Sequence, residues 1–184
     1  MAACGFLSSS LLRTLKLYGY LGEIPVRFGS LMHLVKLCLC GTGLKQEGEP
    51  MEILGALPNL MLLSLARGSY SGEILIFKTG AFPNLKKLDI WDDYRNNYCL
   101  KEVKFEDRAS PHLERIEISW CRLESGITGI NHLPRLKEIS LGYDGKVAKL
   151  AVLQGQVDAH PNSPVLRLLK AWSYHDLPRV VRIQ

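Results

Sequence analysis

Two stretches of this 184-residue chain carry residue types that serve in catalysis. Ser173, His175 and Asp176 are the types of a nucleophile, a base and an orienting carboxylate. A triad is defined by its geometry in space, and neighbours along a chain rarely supply that geometry. Asp92 and Asp93 are paired carboxylates of the kind used in acid–base catalysis, but we interpret them as a polar turn at the end of a strand. Neither stretch predicts an active site.

Cys38 and Cys40 are the only close pair among the five cysteines. Two residues apart on one strand, they would share a face about 6.5 Å apart, which is poor disulfide geometry. Free thiols are typical of a reducing compartment. A zinc site needs more ligands than this pair. The facing positions of the neighbouring predicted strands hold Lys16, Tyr18, Ser64 and Ala66. We therefore expect no metal and no cofactor.

Sequence motifs for nucleotide binding, metal-dependent proteolysis and serine hydrolysis are absent from the chain. The five histidines are scattered over predicted loops and repeat starts. The net charge is +5, but basic and acidic residues alternate, as where Lys86 and Lys87 are followed by Asp89. Nucleic-acid binding would favour clustered basic residues. We expect a protein that is not an enzyme and does not bind nucleic acid.

The sequence lacks the features of a secreted or membrane-spanning protein, and this absence is the basis for predicting its compartment. It has no Asn-x-Ser/Thr site for glycosylation, and no basic residue precedes the apolar part of its first 12 residues. The longest uncharged run is about a dozen residues, too short to span a bilayer. We therefore predict a cytoplasmic protein with no membrane insertion.

A sequence repeat determines where all of these residues would lie. Residues 75–90 align without a gap on residues 103–118, and Phe77/Phe105 and Pro83/Pro111 are among the identical pairs. The unit within the repeat is L-x-x-L-x-L, starting near residues 12, 34, 60, 85, 113 and 136, with a degraded copy at 166. This pattern is similar to that of leucine-rich repeats, whose period is about 20–29 residues. With 47% hydrophobic residues and no linker, residues 1–184 are predicted to form one domain.

The period-two spacing of the leucines predicts the architecture. In each unit the fourth and sixth positions point inward from a short strand and the positions between them point outward. We predict an α/β leucine-rich repeat solenoid of about seven parallel strands on the concave face, with irregular loops and short helices on the convex side. The strands should lie at 15–17, 37–39, 63–65, 88–90, 116–118, 139–141 and about 169–171. Apolar spacing also predicts a helix over 146–159. The ninth positions (Thr42, Asp93, Cys121 and Asp144) should bond backbone groups along each turn.

The outward strand positions form the candidate partner-binding surface. Trp91, Trp120 and Tyr143 come from successive repeats, so we expect their rings in one patch of the kind that interface hot spots favour. A structural alternative is that Trp120 and Tyr143 only cover the sheet edge. Cys38 also falls on this face. The candidate residues are Lys16, Tyr18, Lys36, Lys87, Asp89, Trp91, Arg115, Glu117, Trp120, Glu138, Tyr143, Lys170 and Trp172.

Several stretches together resemble one protein family. They are similar in sequence and order to the C-terminal leucine-rich repeats of plant coiled-coil nucleotide-binding disease-resistance receptors of the cereal type. The stretches are residues 44–77, GAFPNLKKLDI, FEDRASPHLERIEISWC, GINHLPRLKEISL and HPNSPVLRL. The resemblance implies an intracellular receptor that senses a pathogen effector, directly or through a guarded host protein. It also implies that the repeats hold the nucleotide-binding domain of the parent receptor inactive at rest. Since the chain has no P-loop and no coiled coil, we expect a fragment of such a receptor.

Two other families remain as alternatives. Residues 21–44 resemble the G-x-I-P repeat of extracellular plant receptors, in which Ile24 and Pro25 would begin a second short strand. That family has regular 24-residue spacing, many glycosylation sites and paired cysteine caps, none of which is present. The third possibility is the substrate-binding repeat array of an F-box ubiquitin-ligase adaptor, favoured by Cys121 but without an F-box segment.

Overall fold

The computed structural model describes residues 11–91, 100–121, 123–142 and 150–168. Its strands in chain order are β1 (Thr14–Tyr18), β2 (Lys36–Cys40), β3 (Leu62–Ala66), β4 (Ile74–Phe77), β5 (Lys87–Trp91), β6 (Glu102–Phe105), β7 (Arg115–Ser119), β8 (Gly126–Thr128), β9 (Glu138–Leu141) and β10 (Val165–Leu168). The helices are α1 (Pro50–Gly55) and α2 (Leu150–Asp158), with 3-10 helices at Val26–Ser30, Gln46–Gly48 and Ile130–His132. The predicted Tyr143, Lys170 and Trp172, and the two stretches containing Asp92 and Ser173, lie outside the described residues.

Seven of these strands form one parallel sheet in the order β1-β2-β3-β5-β7-β9-β10. The fourth positions of the repeats pair directly from strand to strand, and the buried row is Leu37, Leu63, Leu88, Ile116 and Ile139. All five side chains are at most 1% exposed. The predicted leucine-rich repeat solenoid is therefore confirmed. Leu15 is only half-buried, because β1 pairs with a single described strand, β2.

The seventh strand lies earlier in the chain than predicted. Leu166, expected to start the last repeat unit, pairs with Ile139 and so occupies the inward fourth position. The turn before the strand explains the shift. The Asn162 side-chain amide donates to the Pro134 carbonyl. Three repeats earlier, the side-chain amide of Asn84 donates to the Pro58 carbonyl in the same way. This bond aligns Asn162 with the residue that precedes each repeat unit, so the unit starts at residue 163. Residues 169–171 lie outside the described part of the chain.

A second, three-stranded parallel sheet was not predicted. It has the order β4-β6-β8 and takes up stretches that we expected to be irregular loops. Along β4 and β6 every second side chain is buried, as at Phe77 and Phe105. The Phe77 ring stacks on Phe105 at 4.7 Å and tilts against Phe82 at 5.0 Å. These rings belong to the same hydrophobic core as Leu88, so the core lies between the two sheets.

The helices close the core at its sides. The helix predicted over 146–159 is observed as α2, with Leu153 and Val157 buried; residues 146–149 lie outside the described residues. The short helix α1 was not predicted individually. It begins with Pro50 at its first position, where a missing N–H is tolerated, and buries Met51 and Leu54.

Buried turn residues bond backbone groups, Thr42 in the next repeat and Cys121 within its own turn. The Thr42 hydroxyl, at a predicted ninth position, donates to the Ser69 carbonyl over 3.0 Å, and Thr42 is fully buried. The Cys121 thiol lies 3.5 Å from the Ser119 carbonyl. The predicted bonding along the turns is therefore present at both positions. Asp93 and Asp144 lie outside the described residues.

The two self-similar stretches also share an unusual backbone. Gly80 and Phe82 have positive φ angles of 75° and 56°, and their equivalents Arg108 and Ser110 have 56° and 47°. Glycine adopts this left-handed conformation without cost, whereas other L-residues incur about 1–2 kcal/mol. Arg108 therefore carries backbone strain that its counterpart Gly80 avoids.

We expect Arg108→Gly to raise the free energy of unfolding by about 0.5–1 kcal/mol, since it relieves this strain. The exposed contact of Arg108 with Asp107, at 3.6 Å, contributes little. Urea denaturation measures the change. Arg108→Ala is the control, because it removes the same side chain but keeps the strain. An equal gain from both variants would show that the side chain, and not the backbone, was unfavourable.

Candidate functional site

The side of the seven-stranded sheet that faces away from the core is here termed the outer face. It carries the third, fifth and seventh positions of each repeat, which alternate with the buried row. Most sequence-predicted site residues lie on it. Its members are Thr14, Lys16, Tyr18, Lys36, Cys38, Cys40, Leu62, Ser64, Ala66, Lys87, Asp89, Trp91, Arg115, Glu117, Ser119, Glu138, Ser140, Val165 and Arg167.

An ion-pair cluster occupies the middle of the outer face. The Lys87 ammonium lies 2.9 Å from Asp89 Oδ1 and 3.2 Å from Glu117 Oε2. Burial raises the pKa of Asp89 above its ordinary value, although the neighbouring Lys87 opposes the rise. The pKa of Lys87 is also raised, because its two carboxylate partners outweigh its partial burial. The cluster is thus a partly desolvated group in which two carboxylates share one ammonium.

The raised pKa of Asp89 predicts a pH-dependent stability with a definite sign. The folded state holds the Asp89 proton more tightly than the unfolded chain, so the favourable contribution is complete below pH 3.8 and is lost as the pH rises through the folded pKa. In urea titrations from pH 3.5 to 7, Asp89→Asn should gain stability relative to wild type as the pH increases. The Lys137 hydrogen bond lowers the pKa of Glu114, so Glu114→Gln should lose stability relative to wild type over the same rise. Parallel profiles for the two variants would contradict this assignment.

Trp91 ends β5 on the outer face, and its ring has a cationic neighbour. The Arg67 guanidinium lies 4.9 Å from the ring centroid, within cation–π distance. The Arg67 backbone N–H also donates to the Trp91 carbonyl over 2.8 Å. The half-buried indole is therefore held in place at the surface.

The predicted aromatic patch consists of Trp91, Trp120 and Tyr143, and the structure describes the first two of these residues. The register places Ser119, not Trp120, beside Trp91. Trp120 follows one residue after the end of β7 in a left-handed conformation, with φ of 62°, and is half-buried. Tyr143 lies outside the described residues. The joint patch of three rings stays a prediction.

The outer face differs in charge between its two halves. On β9 and β10, Glu138 accepts a hydrogen bond from Ser140 at 2.8 Å and lies 3.5 Å from the Arg167 side chain. The half from β1 to β3 carries Lys16 and Lys36 and no acidic strand residue. Within the described chain neither lysine forms an ion pair. Tyr18 is 69% exposed there.

The Cys38 thiol in this half is unsuited to nucleophilic chemistry. Cys38 and Cys40, both on β2, are free thiols. Burial raises the pKa of Cys38, and the nearby lysines only partly offset it. Because the thiolate is the reactive form, a raised pKa favours an inert thiol.

Sequence reasoning missed three features of this face. Arg67 lies one position past the end of β3, so the outward-position rule did not select it. Arg167 was missed because the seventh repeat was placed too late. The small residues Ser64 and Ala66 were noted only as unsuitable metal ligands, although the strand pattern itself puts them outward.

The cavity described next to this face is too small for a small-molecule ligand. The cavity beside β3 and β5, lined in part by Leu65, Tyr70 and Trp91, has a volume of about 20 Å³. That volume holds about one water molecule, whereas ligand pockets measure roughly 300–1,000 Å³. Within the described ranges, no three His, Cys, Asp or Glu side chains are grouped as metal ligands. No helix there is long and apolar enough to cross a membrane.

Comparison with known proteins agrees with this geometry. The family model described as "Leucine-rich repeat region" matches residues 5–166. The chain is 30% identical over 164 residues to the "Probable disease resistance protein RF9" of Arabidopsis thaliana, which covers 78% of this chain and 15% of that protein. It is 29% identical over 143 residues to the "Probable disease resistance protein RDL5" of the same plant, covering 67% and 14%. "Disease resistance RPP8-like protein 3" is 28% identical over 131 residues, covering 71% and 14%. The chain thus spans about one seventh of the length of these relatives.

Proposed function

Since the chain belongs to the leucine-rich repeat region family, and its relatives are plant disease-resistance proteins, we propose that it is the protein-interaction module of a plant intracellular immune receptor. In this proposal the module senses a pathogen effector or a guarded host protein. It also contributes to autoinhibition through the nucleotide-binding domain of the parent receptor.

The observation that carries this proposal is the outer face itself. Seven parallel strands hold their outward side chains on a rigid support, since the opposite side chains are packed into one core. Charged and aromatic side chains project from it, and Trp91 with Arg67 has the residue types that dominate binding energy at interfaces. A wide face without an adjacent ligand pocket suits a protein partner better than a small substrate.

A segment exchange in the Arabidopsis relative tests the function. The 164 aligned residues of RF9 are replaced by this chain, and the receptor is expressed in leaves with ion leakage as the measure of cell death. We expect the exchanged receptor to stay inactive at rest, as the unaltered receptor does. A receptor lacking the segment should differ from both. If the exchanged receptor behaved like the deletion, the autoinhibitory role would be wrong.

The recognition role predicts a specific effect of Trp91→Ala. Partner binding by the full chain should be lost, measured by pull-down of each effector or host protein found to bind the wild-type chain. The midpoint of thermal unfolding should change little, because the indole is half-buried and lies outside the core. Lys104→Ala, an exposed change on β6, is the control and should retain binding. Equal losses of binding and stability would show that the Trp91 ring supports the fold. Unchanged binding would show that the partner-binding site does not lie on the outer face.

The extracellular-receptor alternative gains no support from the structure. In that family Ile24 and Pro25 would begin a second short strand. Here the pair is followed by the 3-10 helix Val26–Ser30, which buries Phe28. We therefore keep the intracellular receptor as the single proposal.

A further inference from the structure

The first four strands of the main sheet, β1, β2, β3 and β5, form a trough on the outer face with a floor of small side chains. Along the seventh positions the register runs Tyr18, Cys40, Ala66 and Trp91. Two large rings therefore stand on either side of two small residues, with their Cα atoms about 14 Å apart across three strand spacings. At the fifth positions the floor continues with Cys38 and Ser64. The trough runs parallel to the strands over β2 and β3.

The trough is positively charged at one end. Lys36 lies at the start of β2, and Lys16 lies beside Cys38 in the middle of β1. Both lysines act electrostatically on the Cys38 thiol at the trough floor, as does the Asp89 carboxylate. Both side chains are exposed, and no carboxylate within the described residues forms an ion pair with either. The nearest acidic residue of the outer face, Asp89, is already paired with Lys87. Among the described residues, Lys16 and Lys36 therefore have no ion-pair partner of their own.

The opposite end of the trough is lined mainly by apolar groups, and the Arg67 guanidinium is the charged group beside it. Ala66 and Cys40 form its floor between Tyr18 and the Trp91 ring, which Arg67 covers from one side. Two aromatic side chains that flank small residues leave room for an aliphatic group between them. Going from Lys36 to Cys40 along β2 covers four residues, or about 13 Å.

We propose that this trough binds an acidic peptide segment of a partner protein, with carboxylates at Lys16 and Lys36 and an aliphatic side chain between Tyr18 and Trp91. The inference rests on the proposed protein-interaction function and adds to it a site and a partner chemistry. Charge complementarity selects an acidic segment. The apolar end favours a peptide with leucine-like side chains over a uniformly charged polymer such as nucleic acid.

Fluorescence anisotropy with the purified full chain tests the proposal. The probe is a labelled ten-residue peptide with four glutamates in its first half and two leucines in its second. Compared with wild type, the Lys16→Glu, Lys36→Glu double variant should bind roughly tenfold or more weakly, because two attractions become repulsions. Ala66→Glu should also weaken binding, since it places a charge at the apolar end. The wild-type affinity should fall with added salt.

Matched controls separate a specific site from general charge. The Lys45→Glu, Lys104→Glu double variant changes the net charge equally at exposed positions away from the trough, and should bind within about twofold of wild type. Equal weakening by the two double variants, or no peptide binding by wild type, would overturn the proposal. Tighter binding of a single-stranded oligonucleotide at the same lysines would replace it with nucleic-acid binding. If the peptide does not bind but the RF9 exchange succeeds, the trough proposal is wrong and the proposed function stands. If the peptide binds but the RF9 exchange fails, only the autoinhibitory role is wrong.

Discussion

Gly129→Ala is expected to destabilise the protein by at least about 3 kcal/mol, more than any ordinary surface change. Gly129 follows β8 with a φ of 76°, and a Cβ atom there would overlap the Phe105 carbonyl oxygen at the end of β6. The backbone cannot move aside without breaking the pairing of β6 with β8. Differential scanning calorimetry and urea denaturation measure the loss.

Gly80→Ala is the matched control for this prediction. Gly80 has almost the same φ, 75°, but a Cβ there would meet no atom within 4 Å. It should therefore show only the left-handed strain, about 1 kcal/mol. If both variants lost stability equally, backbone conformation alone would explain Gly129 and the close approach to Phe105 would have no energetic consequence.

Phe77→Ala is expected to cost about 3–5 kcal/mol, because it leaves a cavity at the centre of the core. The Phe77 ring is fully buried and contacts the rings of both Phe82 and Phe105, so its loss removes the contact that joins three aromatic side chains. Urea denaturation measures the change, and the unfolding slope should stay constant if the fold is retained.

Ile76→Ala provides the control within the same strand. Ile76 precedes Phe77 in β4, points to the opposite side and is half-buried. We expect a loss of about 1 kcal/mol. A larger loss at Ile76 than at Phe77 would place the core on the other side of β4 and contradict the two-sheet arrangement.

The sequence determined the main sheet and its inward rows. In each copy of L-x-x-L-x-L the last two leucines are two residues apart, which is the period of a strand. Once Leu37 or Leu88 is assigned to the core, the direction of every other side chain in that strand follows. Repeat order then gives strand order, because each unit buries its leucines only against its neighbours. The outward positions of Lys87, Asp89 and Trp91 follow from the same alternation. The family followed from the combined motifs.

Tertiary structure decided the features that depend on contacts across repeats. The second sheet was hidden because its strands are only three or four residues long, and so short an apolar alternation is ambiguous until Phe77 meets Phe105. The seventh register was fixed by a hydrogen bond from Asn162 to the preceding repeat and not by the leucine spacing.

The same distinction holds for the outer face. Sequence placed Lys87, Asp89 and Glu117 outward, but only the strand pairing brought one ammonium between two carboxylates. The burial that raises the pKa of Asp89 is likewise a property of the folded structure. Sequence also identified Lys16 and Trp91 separately. Their relation across a floor of small side chains is a property of lateral register, because residues more than 70 positions apart come to lie on one face, three strand spacings apart, only when the repeats stack. Local periodicity therefore fixes which way a side chain points, and stacking fixes which side chains act together.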